Sequence, residues 1–363
     1  MRFVKTEDLA KGMRLAKPIY NKNGVLLYDR DTKLTKQGIN SIKNFNIIGI
    51  YILEPAEPLP PMTEEDIEFE RFQTMSMFGL KEDLDMILSD KKPVNIENLI
   101  KMIIKNYCRR GKKVNFMQNI RSTEDYVYKH SINVAIMSAM MAYRLKVSTI
   151  NTRVLIYSAL IHDIGKLMST ASQQQESEED ESEINTKIEQ RGVNFLLNSD
   201  FIVDEVKTIL LEKVRNSSKP SREAGREEVS LSTKILQIAE LYDDVTSMKL
   251  DEEPISDVVA VRTLLNNRDK YDSKVVGALV DSIKMLYPGV CVELTNGYTG
   301  LVIKVNKDDV LRPMVLCFVD NKLYNLGDND VFKIVQIRDI MKTMDKRVKI
   351  DKATIDEYMK KYT

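Results

Sequence analysis

The spacing of apolar residues changes character along this chain, and each change marks a module. Between Leu15 and Tyr28 apolar and polar residues alternate around Asn23-Gly24, a dipeptide suited to the tight turn of a hairpin. Thr35 caps a short helix to about Phe45, and Ile47 to Leu53 is a β-rich run, so residues 1–53 read as a small α+β module. Residues 54–62, Glu-Pro-Ala-Glu-Pro-Leu-Pro-Pro-Met, carry four prolines, which exclude a helix and favour an extended linker. From Thr63 to Tyr287 the period becomes helical. Thr63-Glu-Glu-Asp starts a helix that runs to Gly79 or beyond, and Ile96 to Cys108 carries Leu99, Met102, Ile103 and Tyr107 at helical spacing. Ser122 or Thr123 then starts a longer helix through Tyr126, His130, Val134, Met137, Met141 and Leu145, and the next helix ends at His162-Asp163. Further helices are predicted over Ile184–Leu197, Phe201–Val214, Val229–Val245, Ser256–Leu265 and Lys274–Leu286. Residues 169–183 interrupt them with an acidic, aromatic-free tract that cannot bury surface, and read as a solvated insertion or a lid. After Pro288-Gly289, the runs Val290–Glu293, Gly300–Val305 and Met314–Val319, with Val331–Ile337 as a further strand and Asp351–Tyr362 as a terminal helix, make residues 288–363 a β-rich module. The expected fold is mainly α: a helical domain over 63–287 between two small flanking modules.

Composition narrows the function classes. Lys plus Arg and Asp plus Glu both number 54, so no global charge points to a nucleic-acid polymer or an anionic membrane surface. No apolar run approaches the roughly 18 residues needed to span a bilayer, and the start lacks the apolar core of a signal peptide. Cys108, Cys291 and Cys317 are widely spaced and odd in number among apolar neighbours, and read as reduced core thiols, which leads to the expectation of a cytoplasmic protein. The whole chain holds two histidines, so where they fall carries unusual weight.

Both fall on apolar helical stretches. The run Val154 to Lys166 ends in His162-Asp163, breaks at Gly165 and presents Lys166, while His130 and Glu240 lie on two other predicted helices. Buried imidazoles and carboxylates need partners, and adjacent residues on a helix do not face each other. Two neutral imidazoles with Asp163 and Glu240 suit one divalent ion such as Mn, Fe, Ni or Zn, with Lys166 placed to protonate or neutralise a phosphate oxygen. The other reading keeps His130 and His162 as core histidines satisfied by Asp163 and backbone carbonyls, and the pattern alone leaves both open. The methionines at 137, 140 and 141 read as core packing.

Asp125-Tyr126, His130-Ser131-Ile132-Asn133-Val134, Leu160-Ile161-His162-Asp163-Ile164-Gly165-Lys166 and Ile238-Ala239-Glu240-Leu241-Tyr242-Asp243-Asp244 with Thr246-Ser247 together resemble the HD-GYP branch of the HD-domain phosphohydrolases. The likeness covers about residues 113–265. The stretches around Asp8–Met13 and Tyr287–Gly289 also look like modules that accompany such domains in bacterial proteins. The resemblance implies an all-α HD-type helical domain and hydrolysis of cyclic di-GMP at a centre of two or three metals. It also exposes departures. Ile188, Leu210 and Leu211 stand where the family has histidine ligands, Glu240 replaces an aspartate ligand, and only Pro220 remains of the GYP tripeptide.

Aliphatic side chains offer no lone pairs, so the expectation is at most one divalent ion, held by His130, His162, Asp163 and Glu240, or none. Asp163 and Lys166 are then the catalytic candidates, and Lys166, Lys213, Lys219 and Lys249 the candidates for phosphate contact, set against an ordinary solvated surface. Three functions follow. The first is a degenerate family member in bacterial cyclic di-GMP signalling, with phosphodiesterase activity lost or much reduced, that binds a cyclic dinucleotide, a phosphorylated small molecule or a partner protein. The second is a single-metal phosphohydrolase that retains activity, and the third a structural interaction protein.

Overall fold

The computed structural model describes residues 2–21, 23–44, 49–53, 63–116, 125–168, 181–217, 229–247 and 255–341. The linker at 54–62, the helix start at Ser122 or Thr123, residues 169–180 of the acidic tract, Lys219, Lys249 and the helix expected at Asp351–Tyr362 lie outside the described residues.

At the N-terminal end, β1 (Arg2–Lys5) and β2 (Arg14–Leu15) flank β5 (Gly49–Leu53), both antiparallel to it. The hairpin forms where the alternation places it, with Ile19 of β3 (Ile19–Tyr20) opposite Tyr28 of β4 (Leu26–Tyr28) and Gly24 at φ +72° in the turn. Thr35 caps α1 (Lys36–Lys43) through the Gly38 amide, and Leu15, Ile42, Ile50 and Ile52 form a core of their own. Lys17, 1% exposed, donates from Nζ to Glu70 Oε1 of α2 (Glu64–Leu88) at 2.6 Å and so ties this module to the helices.

A capping box between Thr63 and Asp66 starts α2, which runs straight past Gly79. There follow α3 (Ile96–Tyr107), α4 (Tyr126–Arg144), α5 (Thr149–Ile161), α6 (Ile164–Met168), α7 (Glu181–Leu197), α8 (Asp204–Ser217), α9 (Leu231–Thr246), α10 (Asp257–Asn266) and α11 (Ser273–Ser282). Helix α4 is the axis of the domain. It is buried on every side from His130 to Ala142, because α2, α3, α5, α9 and α11 all pack against it. Met137, Met140 and Met141 are fully buried core, as their spacing predicts.

Several boundaries differ from the expected ones. Helix α8 begins at Asp204 rather than Phe201, where two acidic residues, Asp204 and Glu205, meet the positive end of the helix. Helix α11 stops at Ser282 because the next backbone groups bond elsewhere: Val114 N–H donates to Ser282 O and Lys284 N–H to Val114 O. The last residues of the acidic tract, 181–183, belong to α7 rather than to a loop.

The C-terminal sheet has the order β10-β6-β7-β8-β9, antiparallel throughout, from β6 (Cys291–Leu294), β7 (Thr299–Lys304), β8 (Met314–Cys317), β9 (Leu323–Asn325) and β10 (Ile337–Ile340). The strand expected at Val331–Ile337 is instead a helical turn, α12 (Asn329–Ile334), followed by β10, because Asp328 caps the Asp330 amide at 2.8 Å. Val292, Leu294, Val302 and Val315 of this sheet continue the helical core, and the guanidinium of Arg262 on α10 donates to the carbonyls of Ile337 and Arg338. The fold is mainly α, with a central helical domain and small sheets toward each end. Among the described residues no helix is long and apolar enough to cross a membrane. The three cysteines are free thiols.

Candidate metal centre

Four helices and one helix junction bring the chemistry together. His130 lies on α4, Glu240 on α9, and His162-Asp163 form the junction between α5 and α6. That junction is locked by glycine. A Cβ on Gly165 would come 2.2 Å from Ile188 O, and one on Gly192 would come 2.5 Å from Gly165 N, so α6 and α7 cross backbone to backbone. The crossing delivers Glu189 of α7 to the same pocket, where it meets Lys213 of α8.

Both imidazoles are held in one tautomer. A carboxylate only accepts, so His130 Nδ1 donates to Asp243 Oδ2 at 2.7 Å, while His162 Nδ1 donates to Ala159 O at 2.8 Å. Each ring therefore turns a lone pair on Nε2 inward, and both Nε2 atoms are buried without a hydrogen-bond partner. A donor atom from each of His130, His162 and Glu240 falls in a cluster no more than 4.8 Å across. Two unsatisfied imidazole nitrogens beside a carboxylate fit a divalent ion, since an unpaired buried acceptor is otherwise a cost without return.

Behind His130 runs a relay that the sequence did not disclose. Asp243 Oδ1 accepts from Asn133 Nδ2 at 2.7 Å, and Asn133 Oδ1 accepts from the Gln73 amide of α2. All of these side chains are buried. Tyr126 stacks on the His130 ring, with centroids 5.7 Å apart and planes 5° from parallel, and its hydroxyl donates to Asp244 at 2.8 Å. The relevant signal was in the chain: Asp243 falls one helical turn after Glu240, on the same face.

The remaining candidates are placed as follows. Asp163, expected as a fourth ligand, is not among the clustered donors: its Oδ2 accepts from Lys166 Nζ at 2.6 Å and lies 3.5 Å from His130 Nε2. Lys166 is half-buried, with its Nζ 5.7 Å above the Tyr126 ring. Lys213 corrects the expectation: it is neither a solvated lysine nor one free to meet a phosphate. It is 2% exposed, and its ammonium is paired with Glu189 and, at 2.9 Å, with Glu240 Oε1. Leu210, one turn before it on α8, is buried core, while Ile188 and Leu211 are half-buried. Lys213 thus occupies the Glu240 carboxylate, and Ile188, Leu210 and Leu211 carry no donor atoms.

The charges follow from burial and these pairs. Burial pushes His162 down to about 3, so it stays neutral, as a ligand must. Burial also opposes charge on His130, yet Asp244, then Asp243 and Asp163, outweigh it and raise its pKa; an ion would compete with a proton for Nε2. Burial raises Glu240 to about 7 against the pull of Lys213. Against its own burial, Asp163 is held well below the carboxylate range, chiefly by Lys166, and Lys166 is raised in turn by Asp163. Lys166 is thereby kept an ammonium that can neutralise an anion and is a poor proton donor.

The family described as HD domain matches residues 87–275. A curated relative, the cyclic di-GMP phosphodiesterase PA4108 of Pseudomonas aeruginosa, is 22% identical over 227 residues, 61% of this chain and 55% of the relative. The chain thus spans about half the length of the curated relative it matches. A solved structure, Bd1817, an HDG"Y"P protein from Bdellovibrio bacteriovorus, superposes loosely at a TM-score of 0.44 and 14% identity, over 77% of this chain and 98% of that one. The resemblance to HD-GYP domain proteins that the sequence motifs carry is borne out, and HD domains are typically metal-dependent. With more than half of its residues inside the matched region, the chain belongs to the HD domain family.

Proposed function

We propose that this chain is a degenerate HD-GYP-type protein of cyclic-dinucleotide signalling, one that binds a cyclic dinucleotide or a partner protein and has lost most or all phosphodiesterase activity. One observation carries the reading. The donors His130, His162 and Glu240 suffice for a single ion, while Ile188, Leu210 and Leu211 supply none for another. Two-metal phosphoryl hydrolysis relies on ions roughly 3.5–4 Å apart that stabilise both the attacking and the leaving oxygen. When bound, a single divalent ion (Mn, Fe, Ni or Zn) polarises a phosphoryl oxygen and lowers the pKa of a bound water.

The chain's own groups do the rest. Asp243 and the Ala159 carbonyl hold the imidazole tautomers, and Asp163 holds the ammonium of Lys166 beside the Tyr126 ring. A part-exposed cation at the rim of the pocket suits a phosphate without any metal. In this reading residues 1–53 and 288–363 are flanking modules around a helical domain at 63–287, joined by the linker 54–62.

Titration of the purified protein with cyclic di-GMP, with and without Mn²⁺, tests the proposal: saturable binding with no linear or mononucleotide product is expected. Turnover in the range of ordinary phosphodiesterases would sink it. Such turnover would favour the second reading, a single-metal HD-type phosphohydrolase, for which the His130, His162 and Glu240 cluster is the supporting feature.

A further inference from the structure

We propose that the ammonium of Lys213 stands permanently in the place of a second divalent ion, with Glu240 as the carboxylate shared between it and a one-ion site. The inference rests on the metal reading of the His130, His162 and Glu240 cluster and deepens it, because it says why that site stops at one.

The geometry is that of a bridged pair. One oxygen, Glu240 Oε1, lies 3.7 Å from His162 Nε2 and 2.9 Å from Lys213 Nζ. An ion held by the two Nε2 atoms and Glu240 would share that carboxylate oxygen with the ammonium. Glu189 completes the cation's shell from α7, as a terminal carboxylate would complete the shell of a metal. Lys213 is not an adaptable surface lysine that swung inward. It is 2% exposed, Leu210 and Val214 beside it on α8 are core, and α7 is pinned against α6 by Gly165 and Gly192. With Glu189 and Glu240 already paired to the ammonium, a dication there would meet like charge and find both carboxylates taken.

The alternative is an ion pair that only stabilises the fold, which would leave metal stoichiometry untouched when the lysine is replaced. Electron paramagnetic resonance and equilibrium dialysis with Mn²⁺ separate the two. Wild type should saturate at one Mn²⁺ per chain with the six-line signal of an isolated ion. Lys213→Met frees Glu189 and Glu240 and should take up a second ion, with spectral broadening from a neighbouring spin, whereas Lys213→Arg should remain at one. Lys213→Ala serves the same purpose if the methionine variant fails to fold by circular dichroism. Two coupled ions in wild type overturn the proposal without help from any variant, and so does a folded Lys213→Met or Lys213→Ala that stays at one ion. Wild type that binds no Mn²⁺ at all brings down the metal reading itself, and the proposal with it. Cyclic dinucleotide binding enters none of these outcomes.

Discussion

Replacing Asp243 by Asn tests whether the relay behind His130 sets the metal-facing nitrogen. The substitution keeps size and shape but trades an acceptor for an amide with one donor end and one acceptor end. In wild type both Asp243 oxygens accept, one from His130 Nδ1 at 2.7 Å and the other from Asn133 Nδ2 at 2.7 Å. An Asn at 243 cannot accept from both. If its oxygen stays toward Asn133, its NH2 faces His130, Nδ1 must become the acceptor, and the ring proton moves to Nε2, where a metal needs the lone pair. If it flips, Asn133 must flip too, and its own NH2 then meets the donating amide of Gln73. Either arrangement strands a buried donor or surrenders a ligand. Outer-sphere partners of ligating histidines are worth about 10–100-fold in metal affinity, or roughly 1.4–2.8 kcal/mol. The expected result is Mn²⁺ affinity at least about tenfold weaker than wild type, read by the loss of free Mn²⁺ signal on titration. A shift of the His130 ring nitrogens toward the Nε2–H tautomer in ¹⁵N spectra should accompany it. A folded variant that binds Mn²⁺ as tightly as wild type, with an unchanged tautomer, would refute the reasoning.

Two further outcomes follow from the same pocket and its surroundings. Burial raises Asp257 to about 7 even though the Tyr242 hydroxyl donates to it, so the folded protein keeps a proton that the unfolded chain releases near its model value of 3.8. This group's contribution is whole below the unfolded value and is lost as pH climbs toward about 7. The stability of Asp257→Asn relative to wild type should therefore rise by about 2–3 kcal/mol between pH 5 and pH 8 in urea melts, and a pH-independent difference would contradict it. Gly165→Ala places a methyl 2.2 Å from Ile188 O and should force α6 from α7. A loss of about 1–3 kcal/mol in urea melts is expected, together with weaker Mn²⁺ binding as His162-Asp163 shift; a variant unchanged in both would show that the crossing has slack.

The helical axis of the domain was legible because its residues obey one rule each. An apolar run broken only by His130, Ser131, Asn133 and Ser138 reads as a buried helix, and α4 is buried from His130 to Ala142. His162-Asp163 at the end of a second such run announced a site in the same way. The partners that give the site its character were not legible, because they depend on which helices cross. Lys213 and Glu189 lie on helices whose hydrophobic faces give no hint of a buried ion pair, and lysine and glutamate are ordinarily surface residues. Their meeting is set by the Gly165 and Gly192 contact, and a glycine in sequence does not say what approaches it. The strand expected at Val331–Ile337 failed for a local reason: its apolar spacing suits a strand, yet Asp328 capping Asp330 commits the segment to a helical turn first.

The proposed loss of a second ion poses an electrostatic problem that the lysines answer. A two-metal pocket lined by carboxylates is neutralised by its ions, and stripping them would leave Asp163, Glu189 and Glu240 as buried or half-buried anions that cost several kcal/mol apiece. Here each has a cation built into the chain: Lys166 for Asp163, and Lys213 for Glu189 together with Glu240. Asp244, then Asp243 and Asp163, also raise the pKa of His130 against its burial. A pocket balanced in this way does not depend on an ion to offset its carboxylates. The carboxylate of Glu240 meets the Lys213 ammonium at 2.9 Å while remaining within the cluster with His130 and His162.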